Sequence, residues 1–569
     1  MSQNARHTFI KNTLAQLYPH ADRYALAAKI EQLCQRWKLR EQIAAPLDQS
    51  RVWMIAYGDS IHSGDTNALA CLHQFSTRWL KGVISDIHLL PMFPWTSDDG
   101  FSVKDYRHIA PELGQWSDIA ALAGDFNLMF DFVINHISQQ SRWFQGYLHG
   151  EPRYQHYFIS ADPDDDYHLV TRPRALPLLT PFKRKTGETV HIWTTFSADQ
   201  IDLNFREPDV LLESIDILLE YAARGARAIR LDAIGFLWKE RNSTCIHLPQ
   251  THLIVKLWRA ILDTTWPDCL LITETNVPHQ ENISYFGNGD EAHMVYQFPL
   301  PPLTLHAFLR GNARWLRQWA QRLEQDVFPD KTTFFNFLAS HDGIGLRPVE
   351  NLLCAEERQF LISEVERKQG RISWKTNPDG SQSPYELNIN FLSALSEPGE
   401  SPDDQLARFT AAHAILFMLR GVPAIYYHSL FGSENDNAGL LESGINRRIN
   451  REKLDAATLH EQLLSPETRQ SRIYASLAKL ARIRQQHPAF SPFASQRVPE
   501  LPDALFGVVR QHPTEGETLY CVVNVTGISQ SLSLPVTGTD LLTGAAFNGA
   551  CELSGWQTVW ILADTQPEA

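Results

Sequence analysis

Residues 225–236 read GARAIRLDAIGF, an apolar run of strand length that carries Arg230 and Asp232. Side chains two apart share one face of a strand, so the two charges are neighbours there. A carboxylate in such a run is costly unless something pairs with it or uses it. Seven further runs have the same apolar character: VWMIAY (52–57), VISDIHLL (83–90), LMFDFVI (128–134), LLITET (270–275), HMVYQF (293–298), FFNFLAS (334–340) and PAIYYH (423–428). Strands buried on both faces look like this, continuous in apolar, β-branched and aromatic residues. Helix-like segments separate most of them. Eight strands alternating with helices suggest an α/β fold of the (β/α)8 TIM-barrel type. An open doubly wound parallel sheet has the same periodicity and stands as the alternative.

The spacing outward from these runs gives the domain plan. Residues 1–50 read as a helical extension, with Leu14, Leu17, Tyr24, Ala27, Ile30, Leu33 and Trp37 at helical spacing and Pro19 between two segments. The barrel takes 51–136 and 201–490. About 90 residues separate the third run from the fourth, more than one crossover helix requires. This stretch is rich in Pro, Asp, Tyr and Arg (EPRYQHYFISADPDDDYHLVTRPRALPLLTPF), and 137–200 is expected to form an inserted B domain. A second insert, 350–395, holds KTNPDGSQSPYELNINFL. Both would open at the carboxyl ends of strands, where barrel enzymes build their sites. Beyond residue 490 the pattern shifts to alternation (ALFGVVRQ, TLYCVVNVT, SQSLSLPV, WQTVWIL), predicting an antiparallel β domain over 491–569.

Composition narrows the partners. Apolar residues make up 43% and charged residues 20% of 569, enough for large cores and unlike a disordered chain. The formal charge of −14 repels phosphate backbones and anionic lipid, so neither nucleic acid nor a membrane surface is expected as a partner. Seven dispersed cysteines without a CxxC pair, no basic-then-apolar start and no run of 18 apolar residues suggest a cytoplasmic globular protein.

Charged residues cluster at the ends of the runs. The third run continues to Asn135 and His136, the fifth carries Glu274, and the seventh leads to His341 and Asp342. Taken singly, Asp232 could be a buried salt bridge with Arg230, and His341–Asp342 a turn cap. Three carboxylates on three strand ends, each set requiring its own reason, point instead to a common site. Such a trio suits an oxocarbenium-like transition state, with one nucleophile, one acid and one stabilising charge. Arg230 would keep Asp232 ionised, and burial within LLITET would keep Glu274 protonated. A metal site fits poorly, since no HExxH or HxH occurs.

DFVINH, QIDLN (200–204), GARAIRLDAIGF, ITETN, FLASHD and GVPAIYY resemble, in order, the signature regions of the α-amylase family, glycoside hydrolase family 13. The resemblance runs from about residue 50 to 490. It implies Asp232 as nucleophile, Glu274 as acid/base and Asp342 as transition-state stabiliser. It further implies that Asp59, Tyr106, His136, Arg230, His341 and Arg451 surround a glucosyl ring.

Within that family, HLLPMFPWTSDDGFSVKDY (88–106), TRPRALPLLT (171–180), HDGIG (341–345) and GINRRINRE (444–452) look like the sucrose phosphorylase subfamily. Its glucosyl phosphorylases use inorganic phosphate as co-substrate, with no metal and no organic cofactor. Arg174 and Tyr385 match the phosphate-contacting positions, and Arg172 stands beside them; a guanidinium meets phosphate oxygens in pairs. A rigid surface turn set by Pro173 is the plain alternative for the RPR sequence. In the second insert the typical Leu-Asp-Leu-Tyr-Gln reads Gln382-Ser383-Pro384-Tyr385-Glu386. Ser383 replaces an Asp and Glu386 a Gln, and SPYE with TRPRALPLLTPF resembles the sister specificity for glucosylglycerate. Loss of an acceptor-site Asp suits an acceptor with its own carboxylate, whereas Glu386 argues the other way unless an Arg pairs with it. Sucrose, sucrose 6′-phosphate and glucosylglycerol remain open as substrates. A catalytically inert carbohydrate-binding barrel is the reading of another class, although all three acids are present. The expected partners are small molecules, with the chain a monomer or homodimer.

Overall fold

The computed structural model describes residues 3–38, 47–174, 176–377 and 381–564. Parts of four expected regions lie outside the described residues: 1–2 and 39–46 of the N-terminal extension, 175 in the RPR loop, 378–380 in the second insert, and 565–569 of the C-terminal domain.

The eight runs form eight parallel strands: β1 (Trp53–Ala56), β2 (Asp86–Leu89), β3 (Asn127–Phe132), β4 (Ala226–Leu231), β5 (Leu270–Thr273), β6 (Met294–Tyr296), β7 (Thr333–Phe337) and β8 (Val422–Tyr426). They follow one another around a ring, and β8 returns to β1 with Trp53 opposite Ala424. That closing pair makes a barrel and rules out the open doubly wound sheet. Nearly every strand residue is buried, as expected for strands with side chains in the barrel interior on one face and helices on the other. Register then fixes chemistry, because Arg230 of β4 lies opposite Asp131 of β3 and Ile272 of β5.

The N-terminal segment forms two helices, Gln3–Leu17 and Arg23–Trp37, the second capped by Asp22, whose side chain accepts from the amides of Tyr24 and Ala25. Leu14 and Ile30 are fully buried. The Tyr18 hydroxyl donates to the Phe205 carbonyl at 2.8 Å, and Trp37 Nε1 to Asp216 at 2.7 Å, fastening the pair to the barrel. Tyr24, counted above in the apolar stripe, is instead 59% exposed, with Lys11 and Arg23 over its ring.

Two inserts shape the mouth. Between β3 and β4, the strands His136–Ser138 and Gln200–Asp202 pair antiparallel with His136 opposite Asp202. After β7, Ile344–Gly345, Gln382–Asn388 and Arg371–Thr376 form a three-stranded sheet with Gln382–Asn388 in the middle. The C-terminal sheet has six antiparallel strands over Ser495–Ala563. Its alternation sends Leu519, Cys521 and Val523 into the main core, while Val522 packs in a second core with Leu505 and Leu532.

Candidate active site

The carboxyl ends of the strands open into a cavity of about 1410 Å³ including its mouth. At its base Arg230, 1% exposed, serves three carboxylates. Its Nη1 donates to Asp232 Oδ1 at 2.7 Å and also to Asp131, whose second oxygen meets His88 Nε2 at 2.7 Å. Its Nη2 lies 3.8 Å from Glu274 Oε2. Phe101 and Tyr296 put their rings 5.7 and 5.4 Å from the guanidinium. Immediately after Asp232 the chain turns through Ala233 at φ 48°, a left-handed conformation costly for alanine. That turn aims the Ala233 N–H at Glu274 Oε2, 3.1 Å away.

Burial pushes both Asp232 and Glu274 above the ordinary carboxyl range, and Arg230 opposes the rise at both. At Asp232, burial together with the neighbouring Glu274 and Asp131 carboxylates outweighs the pull of Arg230, contrary to the simple expectation. Asp131 is the carboxyl held low: burial would raise it, but Arg230 and His88 outweigh that. The Glu274 charge raises Asp232 further, which links the two carboxyls. With one proton between them, the closer approach of Arg230 to Asp232 favours the charge on Asp232 and the proton on Glu274.

Asp342 is held below its usual range, since Arg447 at 2.7 Å and Arg451 at 4.0 Å outweigh burial. Burial lowers His341 to about 3 and His136 to about 4, so both imidazoles are neutral. His341 stacks on Phe101 with centroids 4.8 Å apart. His136 donates through Nε2 to the Phe101 carbonyl at 2.9 Å, while Asn135 links its ring to the buried Asp202–Lys239 pair. At the mouth, Arg174 meets Asp98 at 3.3 Å and lies 5.6 Å from the Phe196 ring. Arg172 has no acidic partner among the described residues; its guanidinium bonds the Leu176 carbonyl of its own loop.

Part of this chain, residues 79–344, matches the family model described as the α-amylase catalytic domain. A curated glucosylglycerate phosphorylase of Escherichia coli (strain K12) is 46% identical over 517 residues, covering 90% of this chain and 92% of the relative. One from Allomeiothermus silvanus is 48% identical, covering 95% of each. The chain belongs to the α-amylase family. A solved structure, sucrose 6F-phosphate phosphorylase from Thermoanaerobacter thermosaccharolyticum, superposes with a TM-score of 0.72 at 23% identity, over 84% of this chain and 94% of that one. It speaks for the fold.

In this α-amylase-family barrel, four residues expected around the sugar do not line the cavity: Arg230 and Arg451 stand behind its wall, against Asp232 and the His341 carbonyl, while Asp59 and Tyr106 lie elsewhere. Asp59 does not line the cavity: its side chain is 39% exposed and pairs with Lys453 at 2.6 Å. Arg451 pairs instead with Asp99, its Nη1 lying 2.5 Å from the carboxylate. Tyr106 is buried with its hydroxyl on the carbonyls of Val133 and His136 at 3.0 and 2.8 Å, so it holds the His136 loop and is not a cavity wall. Glu386 does not reach the cavity as a free charge. It accepts from the Gly343 amide and pairs with Arg447 at 3.1 Å. Arg447, Asp98 and Phe101 line the cavity and were missed as site residues, although all three stand in the quoted segments WTSDDGFSVKDY and GINRRINRE. Their signal was the DDG turn, in which Asp98, Asp99 and Gly100 all have positive φ. Gly100 passes so close to Pro91 that a Cβ would fall 2.9 Å from its ring. A strained turn carrying two carboxylates needs a structural reason, and clamping Arg174, Arg448 and Arg451 supplies it.

Proposed function

We propose that this protein is a retaining α-glucosyl phosphorylase that converts 2-O-α-D-glucosyl-D-glycerate and inorganic phosphate into α-D-glucose 1-phosphate and D-glycerate. The observation that carries the reading is one guanidinium, Arg230, poised between Asp232 and Glu274 beneath a mouth lined by arginines. The 46–48% identity to curated glucosylglycerate phosphorylases, over nearly the whole chain, supports the acceptor.

In the first half-reaction the Asp232 carboxylate attacks the anomeric carbon. Glu274 gives its proton to the glycosidic oxygen, so the carbon–oxygen bond breaks and D-glycerate leaves with that proton. In the second, a phosphate oxygen attacks the same carbon and the ester bond to Asp232 breaks. Glu274 takes up the proton phosphate gives, and two inversions return the α configuration. Asp342, charged and fixed by Arg447, would stabilise the positive charge that develops on the ring. His136 and the Phe101–His341 stack would hold the glucosyl unit, with the Arg451–Asp99 pair fixing the His341 backbone behind them. Arg174 and Tyr385, with Arg172 beside them, would receive the phosphate. Phosphate is the co-substrate, and this chemistry calls for no organic cofactor.

No helix among the described residues is long and apolar enough to cross a membrane, and all seven cysteines are unpaired. The latter supports a reduced, cytoplasmic setting, with one chain, alone or paired with its copy, as the working unit.

An acceptor series run in the synthetic direction tests the assignment. With glucose 1-phosphate as donor, D-glycerate should be used far better than fructose, fructose 6-phosphate or glycerol. Preference for any of those three would move the protein to a sister specificity.

A further inference from the structure

Four arginines line the cavity, and three of them are engaged. Arg174 holds Asp98, Arg172 holds its own loop, and Arg447 serves Asp342, Glu386 and the Tyr385 hydroxyl. The fourth, Arg347, donates no hydrogen bond among the described residues; its nearest acid, Glu281, is 4.0 Å away with a side chain 44% exposed. Lys375 lines the same cavity in similar state, 3.8 Å from Glu350 and without a hydrogen bond among the described residues. Each separation exceeds hydrogen-bond reach, and partners so exposed are well screened.

The chain path places Arg347 on the side of the acid Glu274. Gly345 passes against Asn276, two residues beyond Glu274, so closely that a Cβ would lie 2.7 Å from the Asn276 amide nitrogen. Leu346 then bonds its amide to the Tyr385 carbonyl at 3.0 Å, and Arg347 opens a short turn set by Pro348. Next to it His247 also lines the cavity, with Nδ1 on the Tyr285 hydroxyl at 2.7 Å. Burial and the nearby cations keep that imidazole neutral, lowered to about 4, so it adds no competing positive charge.

Glucosylglycerate bears its carboxylate on the very carbon that carries the glycosidic oxygen. An anion so placed must lie within a few ångströms of the oxygen that Glu274 protonates. We infer that Arg347, assisted by Lys375, is the seat of the acceptor's carboxylate, separate from the Arg172–Arg174 loop that receives phosphate. The planar fork of a guanidinium matches a carboxylate in two parallel hydrogen bonds, and a neutral acceptor would leave it unmatched. This inference rests on the proposed phosphorylase reading and names the group that reads its acceptor.

The test uses α-D-glucosyl fluoride as donor, so that glycerate and phosphate compete for one glucosyl-enzyme. Arg347→Gln should lower kcat/KM for D-glycerate at least about tenfold, the loss expected for one charged hydrogen-bonding partner. Fluoride release and transfer to phosphate should stay within about twofold, and Arg347→Lys should recover part of the loss, as a point charge without the fork. Arg347→Gln that uses glycerate like the wild type, or loses phosphate transfer as much as glycerate transfer, overturns the inference alone. A wild-type protein that forms glucose 1-phosphate but never glucosylglycerate overturns the acceptor reading, and this inference with it.

Discussion

Asp99 Oδ2 lies 2.5 Å from Nη1 of Arg451, joining the turn after β2 to the loop after β8 behind the cavity wall. Arg451 also donates through Nε to the His341 carbonyl at 2.8 Å, so one guanidinium ties the DDG turn to the strand end that carries Asp342. The contact explains why the turn tolerates three successive positive φ angles: the clamp it builds outweighs the backbone strain.

Removing that clamp should be expensive. Asp99→Ala leaves Arg451 buried without its carboxylate, a change that costs about 3–5 kcal/mol in comparable buried pairs. We expect a fall of at least about a hundredfold in kcat/KM with a lower Tm. Asp59→Asn, at an ion pair with a partly exposed carboxylate, should shift stability by about 1 kcal/mol or less. Equal effects at the two positions would return Asp59 to the site.

Glu274→Gln should separate acid catalysis from glucosyl transfer. Loss of the proton donor is expected to cost about 10²–10⁴-fold on glucosylglycerate, whose leaving oxygen needs protonation. Fluoride needs far less help, so release from α-D-glucosyl fluoride should persist. A variant equally inactive on both donors would deny Glu274 the acid's role.

The pH profile follows from the Asp232–Glu274 pair. Burial raises both carboxyls, so activity should fall on the acid side as Asp232 takes up a second proton, at a pH above the ordinary carboxyl range of about 4. On the alkaline side it should fall as Glu274 loses its proton, and Glu274→Gln should abolish that limb. A kcat/KM profile on glucosylglycerate that stays flat down through the ordinary carboxyl range would contradict the raised pair.

Arg174→Ala should impair phosphate use more than formation of the glucosyl-enzyme. Its guanidinium touches Asp98 and the Phe196 face at the mouth and none of the three acids at the base. We expect KM for phosphate to rise at least about tenfold while fluoride release changes little. Parallel loss of both would assign Arg174 to holding the fold of its loop.

How far the sequence was legible depended on whether a residue's partner was near in the chain. The eight strands could be read because continuous apolar runs have one physical explanation, and Arg230 with Asp232 because a strand's period of two puts them together. Closure of the barrel could not, since it lies in the pairing of Trp53 with Ala424, hundreds of residues apart. Asp59 entered only through the family resemblance, and only the fold shows Arg451 beside Asp99 and Lys453 beside Asp59. The neutralisation of Glu386 was likewise invisible, because Arg447 comes from the loop after β8. The lone charge that seemed to oppose an anionic acceptor is already paired.

The most direct measurement is product analysis after incubating the protein with 2-O-α-D-glucosyl-D-glycerate and inorganic phosphate. The account predicts α-D-glucose 1-phosphate and D-glycerate in equal amounts, with donor cleavage dependent on phosphate. Free glucose as the main product, formed at the same rate without phosphate, would contradict it.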